Sequence, residues 1–173
     1  MQIGVGLPRG KAMLDPGALR AFAQGVEAAG FDFITSGERI IDKDRGGARE
    51  PFALHSFLAA CTSRVRLIPS IVLLPQRPTV LTAKQAAEVD ILSGGRFVLG
   101  VGIGSHPEEY AAVGQDYHNR GRRIEEQIDL LRRLWTNETV TYQGQWHQRW
   151  QGQQGGEGLG PGAAPDHART PPD

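Results

Sequence analysis

The chain has 173 residues, of which 39% are hydrophobic, enough for a single domain with a sizeable buried core. Its 19 basic and 19 acidic side chains cancel, so no electrostatic footprint for nucleic acid or anionic lipid exists, and a small-molecule partner is expected. The single Cys61 excludes an internal disulfide, the short apolar start broken by Pro8 is no signal peptide, and no window reaches a membrane span; a cytoplasmic protein is expected.

The first half repeats one unit. Residues Ile3 to Leu7 predict a strand, followed by Asp15 as an N-cap, Pro16 at the first helical position, and Leu19, Phe22, Ala23 and Val26 at helical spacing up to Gly30. Phe31 to Ile34 predicts a second strand. Pro51 opens a helix with Leu54, Phe57, Leu58 and Cys61 on one stripe, which makes Cys61 a core residue. Val65 to Leu74 predicts a third strand, Thr79 to Ser93 a helix stopped by Gly94 and Gly95, and Arg96 to Val101 a fourth strand. Strands about thirty residues apart with intervening helices suit repeated βα units around a parallel sheet.

A fourth helix is predicted from Asn119 to Trp135, with Ile124, Ile128, Leu131 and Trp135 on one stripe and Asp129 placed to pair with Arg132 or Arg133. From Gln148 onward Leu159 is the only aliphatic residue larger than alanine, and Gly and Pro recur without period. Such a segment buries too little apolar surface to offset its ordering entropy and is expected to be disordered. The expected organisation is therefore a folded unit over 1–147 and a Gly/Pro-rich tail over 148–173, either a flexible extension or the product of truncation or a frame shift.

Two stretches carry a family likeness. Leu81 to Gly104 reads LTAKQAAEVDILSGGRFVLGVGIG, and Asn119 to His147 reads NRGRRIEEQIDLLRRLWTNETVTYQGQWH. The first resembles the pattern LAKQAATLDxLSGGRxxLGVGxGW of the luciferase-like flavin and deazaflavin oxidoreductases. The second resembles that superfamily's RGxRxxExxxxLRxLW, followed by a short hairpin VxYxGxxF. The likeness spans roughly residues 1–147, the N-terminal half of the family's domain, and its F420-dependent branch fits best. It implies an α/β fold, a TIM (β/α)8 barrel of which about the first four βα units are present.

In such a barrel, chemistry gathers just after the strands. After the first strand come Pro8, Arg9 and Lys11, a solvated loop or a hold for an anionic tail. After the second, Thr35 to Arg39 resembles the family's SDH or GEH tripeptide. By that likeness Glu38 is a cofactor ligand, or else a partner of a neighbouring base, and Arg39 stands in the histidine position. Arginine exchanges no protons near neutral pH, so Arg39 offers a fixed cation instead. Pro69 inside the third strand signals a bulge, and the resemblance implies a cis peptide at Ser70-Ile71 behind the cofactor ring, with Leu73 as a wall. After the fourth strand, Ile103, Gly104 and Glu108 would line the cofactor, and Ser105 replaces a catalytic Glu found in some deazaflavin sugar-phosphate dehydrogenases.

The glycines of Gly100 to Gly104 lack the G-x-G-x-x-G spacing and do not open the chain, which disfavours a Rossmann site. No H-x-x-x-H or Cys/His cluster occurs, and no metal site is expected. His106 is the histidine placed to serve as a proton donor. The resemblance thus implies an oxidoreductase using coenzyme F420, with hydride passing between the deazaflavin C5 and an organic substrate. FMN with O2 in a monooxygenase is the alternative, and an inactive fragment or a half-barrel binding module, conceivably a homodimer, is the third reading.

Overall fold

The computed structural model describes residues 1–41, 49–147 and 150–153. Three parallel strands stand side by side, β1 (Gly4–Gly6), β2 (Phe33–Ser36) and β3 (Arg66–Pro69), and a second parallel pair joins β4 (Val72–Leu73) to β5 (Val101–Gly102). Between them run α1 (Pro16–Ala28), α2 (Pro51–Cys61) and α3 (Thr79–Ser93), followed by α4 (Pro107–Ala112), α5 (Arg120–Thr136) and a β6 (Thr139–Tyr142), β7 (Trp150–Gln153) hairpin. Asp15 caps α1 by accepting from Ala18 N at 2.7 Å, and Glu50 caps α2 in the same way from Ala53 N. Asp129 pairs with Arg133 at 3.0 Å, one of its two expected partners.

Register decides which side of the sheet is covered. Val5, Ile34 and Leu67 lie abreast across β1, β2 and β3, and their row packs on Leu19, Ala23 and Val26 of α1 and Leu54 and Leu58 of α2. Burying one such aliphatic side chain contributes about 1.5–3 kcal/mol. The alternate row holds Phe33, Thr35, Arg66 and Ile68, and none of these is buried. A doubly wound sheet buries both faces; here the helices of the described residues lie against one. On the neighbouring pair, Val72 packs with Phe52, Ala86 and Val89, while Leu130, Leu131 and Leu134 of α5 close the core beyond. Cys61 is only partly buried.

The third and fourth strands depart from the continuous runs expected over Val65 to Leu74 and Arg96 to Val101. Leu67 pairs with Phe97, yet Val72 pairs with Val101, so five steps on one strand face four on the other. The extra residue is a bulge, and it breaks both ladders at Pro69, whose ring has no N–H to offer. The short α4 follows from Pro107 with two acids in its first turn, a start signal that the expected elements omit. At the far end, β7, which falls within the expected tail, pairs with β6. Residues 154–173, the bulk of the expected tail, lie outside the described residues.

Opposite the C-terminal ends of the strands, Glu27 binds the turn before β3. Its carboxylate accepts the backbone N–H of Ser63, Arg64 and Val65, at 3.0 Å and 2.9 Å for the first and last. Burial alone would raise its pKa, but those N–H bonds outweigh it and hold the carboxyl below the ordinary value. His55 is fully buried in α2, donating from Nδ1 to Pro51 O at 2.7 Å, and burial pushes its pKa down. Both groups bind protons more readily in the unfolded chain, so stability is expected to hold above pH 6.5, to fall below it as His55 is driven to charge, and to fall again below pH 4.5 through Glu27. Chemical denaturation between about pH 3 and 8 checks this: Glu27→Gln, losing about 1–2 kcal/mol, should shrink the acid limb, to which the Glu126 carboxyl, also held below its ordinary value, contributes as well, and His55→Leu should remove the step below 6.5.

Candidate functional site

The loops at the C-terminal ends of the strands meet at one rim. After β2 the chain sends two consecutive side chains in different directions. Glu38 is 7% exposed; its Oε2 accepts the Leu73 N–H at 2.6 Å and its Oε1 accepts from the Arg77 guanidinium. Arg77 also reaches Glu50, the cap of α2, at 3.0 Å and lies over the Phe52 ring at 5.2 Å. Arg39 instead donates from Nε to Glu109 Oε1 at 2.6 Å, and the Ile41 N–H reaches the same oxygen at 3.3 Å. Glu109 is 1% exposed, whereas the Arg39 side chain is 37% exposed. A buried carboxylate thus fixes a guanidinium that faces outward.

Next to this loop the Ser70-Ile71 peptide is cis, the geometry expected there. The Ser70 N–H donates to Ser36 O at 2.6 Å, which ties the end of β3 to the end of β2. Ser70 is exposed and Ile71 half-buried. Across from Ile71 stands Gly102, where a Cβ would meet the tip of the Ile71 side chain, so a larger residue here requires that side chain to turn aside. Leu73, the expected wall, is 4% exposed and lies behind the turn rather than on its surface.

The glycine turn after β5 completes the rim. Ile103 is exposed, and its carbonyl accepts from the hydroxyl of the fully buried Tyr110, whose pKa burial pushes up. Gly104 has φ +66° and a Cβ there would stand 2.9 Å from Leu73 Cδ2. Beneath this turn the Gln76 amide, beside the Tyr110 hydroxyl, is 4% exposed, and its carbonyl oxygen finds no donor among the described residues. His106 precedes α4, and its Nδ1 lies 3.5 Å from Glu108 Oε1; both side chains are largely exposed. Arg9 and Lys11, after β1, are exposed.

Arg39, Ser70, Ile71, Ile103 and Gly104 therefore share one rim, with Glu38 and Leu73 underneath and His106 and Glu108 at its α4 end. Arg77, Gln76, Glu109 and Tyr110 were not anticipated. Their partners lie up to 70 residues away in the chain, and no local pattern marks them. Among the described residues no group of three His, Cys, Asp or Glu converges as a metal site. Backbone, glycine and apolar side chains beside a fixed cation suit a flat, electron-rich ligand. A planar ring system of flavin type fits these residues. Gly104→Ala is expected to cost about 1–2 kcal/mol, from the left-handed backbone and the Leu73 contact together, read as a fall in thermal midpoint with the fold retained by circular dichroism.

Residues 1–157 match the family described as luciferase-like monooxygenase. The F420-dependent glucose-6-phosphate dehydrogenase of Kribbella flavida is 32% identical over 155 residues, covering 85% of this chain and 46% of that enzyme. The FMNH2-dependent dimethylsulfone monooxygenase of Pseudomonas fluorescens is 32% identical over 133 residues, 75% of this chain and 36% of that protein. Among solved structures, the monooxygenase RslO1 from Streptomyces bottropensis superposes with a TM-score of 0.76 at 27% identity, over 87% of this chain and 47% of its own. The chain spans half or less of the length of each of these proteins. No helix among the described residues is long and apolar enough to cross a membrane. With the match running through every βα unit described above, the chain belongs to the luciferase-like monooxygenase family.

Proposed function

We propose that this chain supplies the cofactor-binding rim of an F420-dependent oxidoreductase acting on a small organic substrate. The observation that carries this reading is the close approach of the glycine turn Gly102 to Gly104 to Ile71 and Leu73, a bed of backbone and small residues at the strand ends. When bound, the deazaflavin supplies the chemistry, accepting or giving a hydride at C5.

The protein's own residues bind, orient and balance charge. Ser70, Ile71, Ile103 and Gly104 form the bed, Leu73 backs it, and Glu108 stands at its outer end. Arg39 holds a permanent positive charge over the rim, which favours the reduced, negatively charged form of the cofactor. His106 is the proton donor of this reading, because Arg39 cannot release a proton. The FMN alternative rests on the same bed, and the relative from Pseudomonas fluorescens, an FMNH2-dependent monooxygenase by name, keeps it in play.

Titration of the purified chain with F420 and with FMN, followed by fluorescence, tests the assignment. Tighter binding of F420, with slow reaction of its reduced complex with O2, is expected. Tighter FMN binding with rapid O2 consumption would move the assignment to the monooxygenases, and binding of neither would overturn it. In a turnover-competent preparation, His106→Ala is expected to lower turnover by roughly a hundredfold with cofactor affinity unchanged; unaltered turnover removes His106 from the reaction.

A further inference from the structure

We propose that Glu38 is a positioning residue that fixes the Ser70-Ile71 platform from behind, and that the charge this loop presents to a bound ring is the Arg39 cation, aimed by Glu109. The resemblance places a cofactor-binding carboxylate at Glu38, and the geometry of this chain argues otherwise. A carboxylate has two oxygens. One takes the Leu73 N–H at 2.6 Å, two residues beyond Ile71, and the other takes Arg77. The Glu38 side chain is 2% exposed, so no face of it is left for a ligand.

The group that holds the acid is itself anchored. Arg77 reaches Glu50 at the start of α2 and lies on the Phe52 ring, so Glu38 links the platform to a core helix. One residue on, the polarity reverses. Glu109 is buried and spends one oxygen on both Arg39 Nε and the Ile41 N–H. Arg39 uses only Nε in this pair; its two Nη groups have no hydrogen-bond partner among the described residues, on a side chain 37% exposed. The rim therefore turns Glu38 of this loop and Glu109 of α4 inward and the Arg39 cation outward. A ring that gains negative charge at this edge on taking up a hydride is favoured over its oxidised form.

The Glu38 half of this proposal stands on the ligand-free chain, while the Arg39 half rests on the function proposed above. Hydrogen exchange at the Leu73 amide tests the first. Glu38→Ala is expected to speed that exchange at least about tenfold, Arg77→Met to speed it less, and the double variant to match Glu38→Ala alone. Should Glu38→Ala not fold, Glu38→Gln, which keeps an acceptor but loses the charge, is expected to match Arg77→Met. Unchanged exchange in the variant that folds would overturn the positioning role.

The ratio of affinities for reduced and oxidised FMN or F420 tests the second half. Arg39→Gln is expected to cut the preference for the reduced form about tenfold, a change of about 1.4 kcal/mol, and Arg39→Lys to restore most of it. Glu38→Gln should leave the ratio unchanged; a raised preference for the reduced form would mean that its charge faces the ring, against the proposal. An Arg39→Gln ratio equal to that of the unaltered chain would sink the cation's role. Binding of neither cofactor by the unaltered chain defeats the functional reading and the Arg39 half with it, and leaves the exchange result to decide Glu38.

Discussion

One-sided burial governs this structure. Because side chains alternate along a strand, the register that sets Val5, Ile34 and Leu67 abreast commits every second residue of β1, β2 and β3 to α1 and α2. A slip of one residue would bury Arg66 and expose Leu67. The same register carries all strand ends to one level, and each following loop must start there. The site is a consequence of that alignment, since residues after β2, β3 and β5 are far apart in sequence and adjacent only because the ladder holds them so.

The bulge between β3 and β4 adds the second constraint. One surplus residue opposite β5 turns the chain between Pro69 and Val72, which frees the peptide of Ser70 and Ile71 from the ladder and brings the Leu73 N–H within reach of Glu38. A backbone donor so displaced, if buried without a partner, would cost about 1–3 kcal/mol. The Glu38 carboxylate meets it, and Arg77 neutralises the carboxylate in turn. Strand irregularity and ion pair are thus parts of one arrangement: without the bulge there would be no donor at that point, and without the acid the bulge would be penalised.

Much of the fold could be read along the chain because it is local. The Asp15 and Pro16 start of α1, the Pro51 start of α2, the Gly94 stop of α3 and the span of α5 each need only neighbours within a few residues; the stripe expected on α5 is offset, since Leu130 and Leu134 are buried beside Leu131 while Ile124, Ile128 and Trp135 are only partly buried. The lengths of the third and fourth strands were overestimated because hydrophobicity continues through Pro69 to Leu74, while pairing does not. For the rim, the sequence offered positions but not partners. Glu38 is a carboxylate in either setting, and whether its oxygens face a ligand or an internal donor depends on Arg77, 39 residues on. Likewise nothing near Arg39 in the chain reveals Glu109 on the far side of the glycine turn. Such pairings depend on three-dimensional proximity, which neither periodicity nor composition encodes.

A rim built from backbone and glycine selects ligands differently from one built from side chains. Ser70, Ile71 and the turn at Gly104 present surface shape with few donors that would tell one tricyclic ring from another, which suits a family whose named relatives use both F420 and FMN. Discrimination must then come from the few charged or hydrogen-bonding groups at the edges, where a single substitution changes the chemistry without disturbing the bed. The guanidinium of Arg39 is such a group: it keeps positive charge at every accessible pH and transfers no proton. If proton transfer is required in the reaction, it must be supplied from elsewhere on the rim or by the substrate itself. The buried Glu109 holds this cation in place, because an outward guanidinium paired with an inward anion avoids both an isolated buried charge and a freely rotating side chain. The chain can therefore alter the electrostatics of its site while the ladder, the bulge and the glycine turn stay as they are.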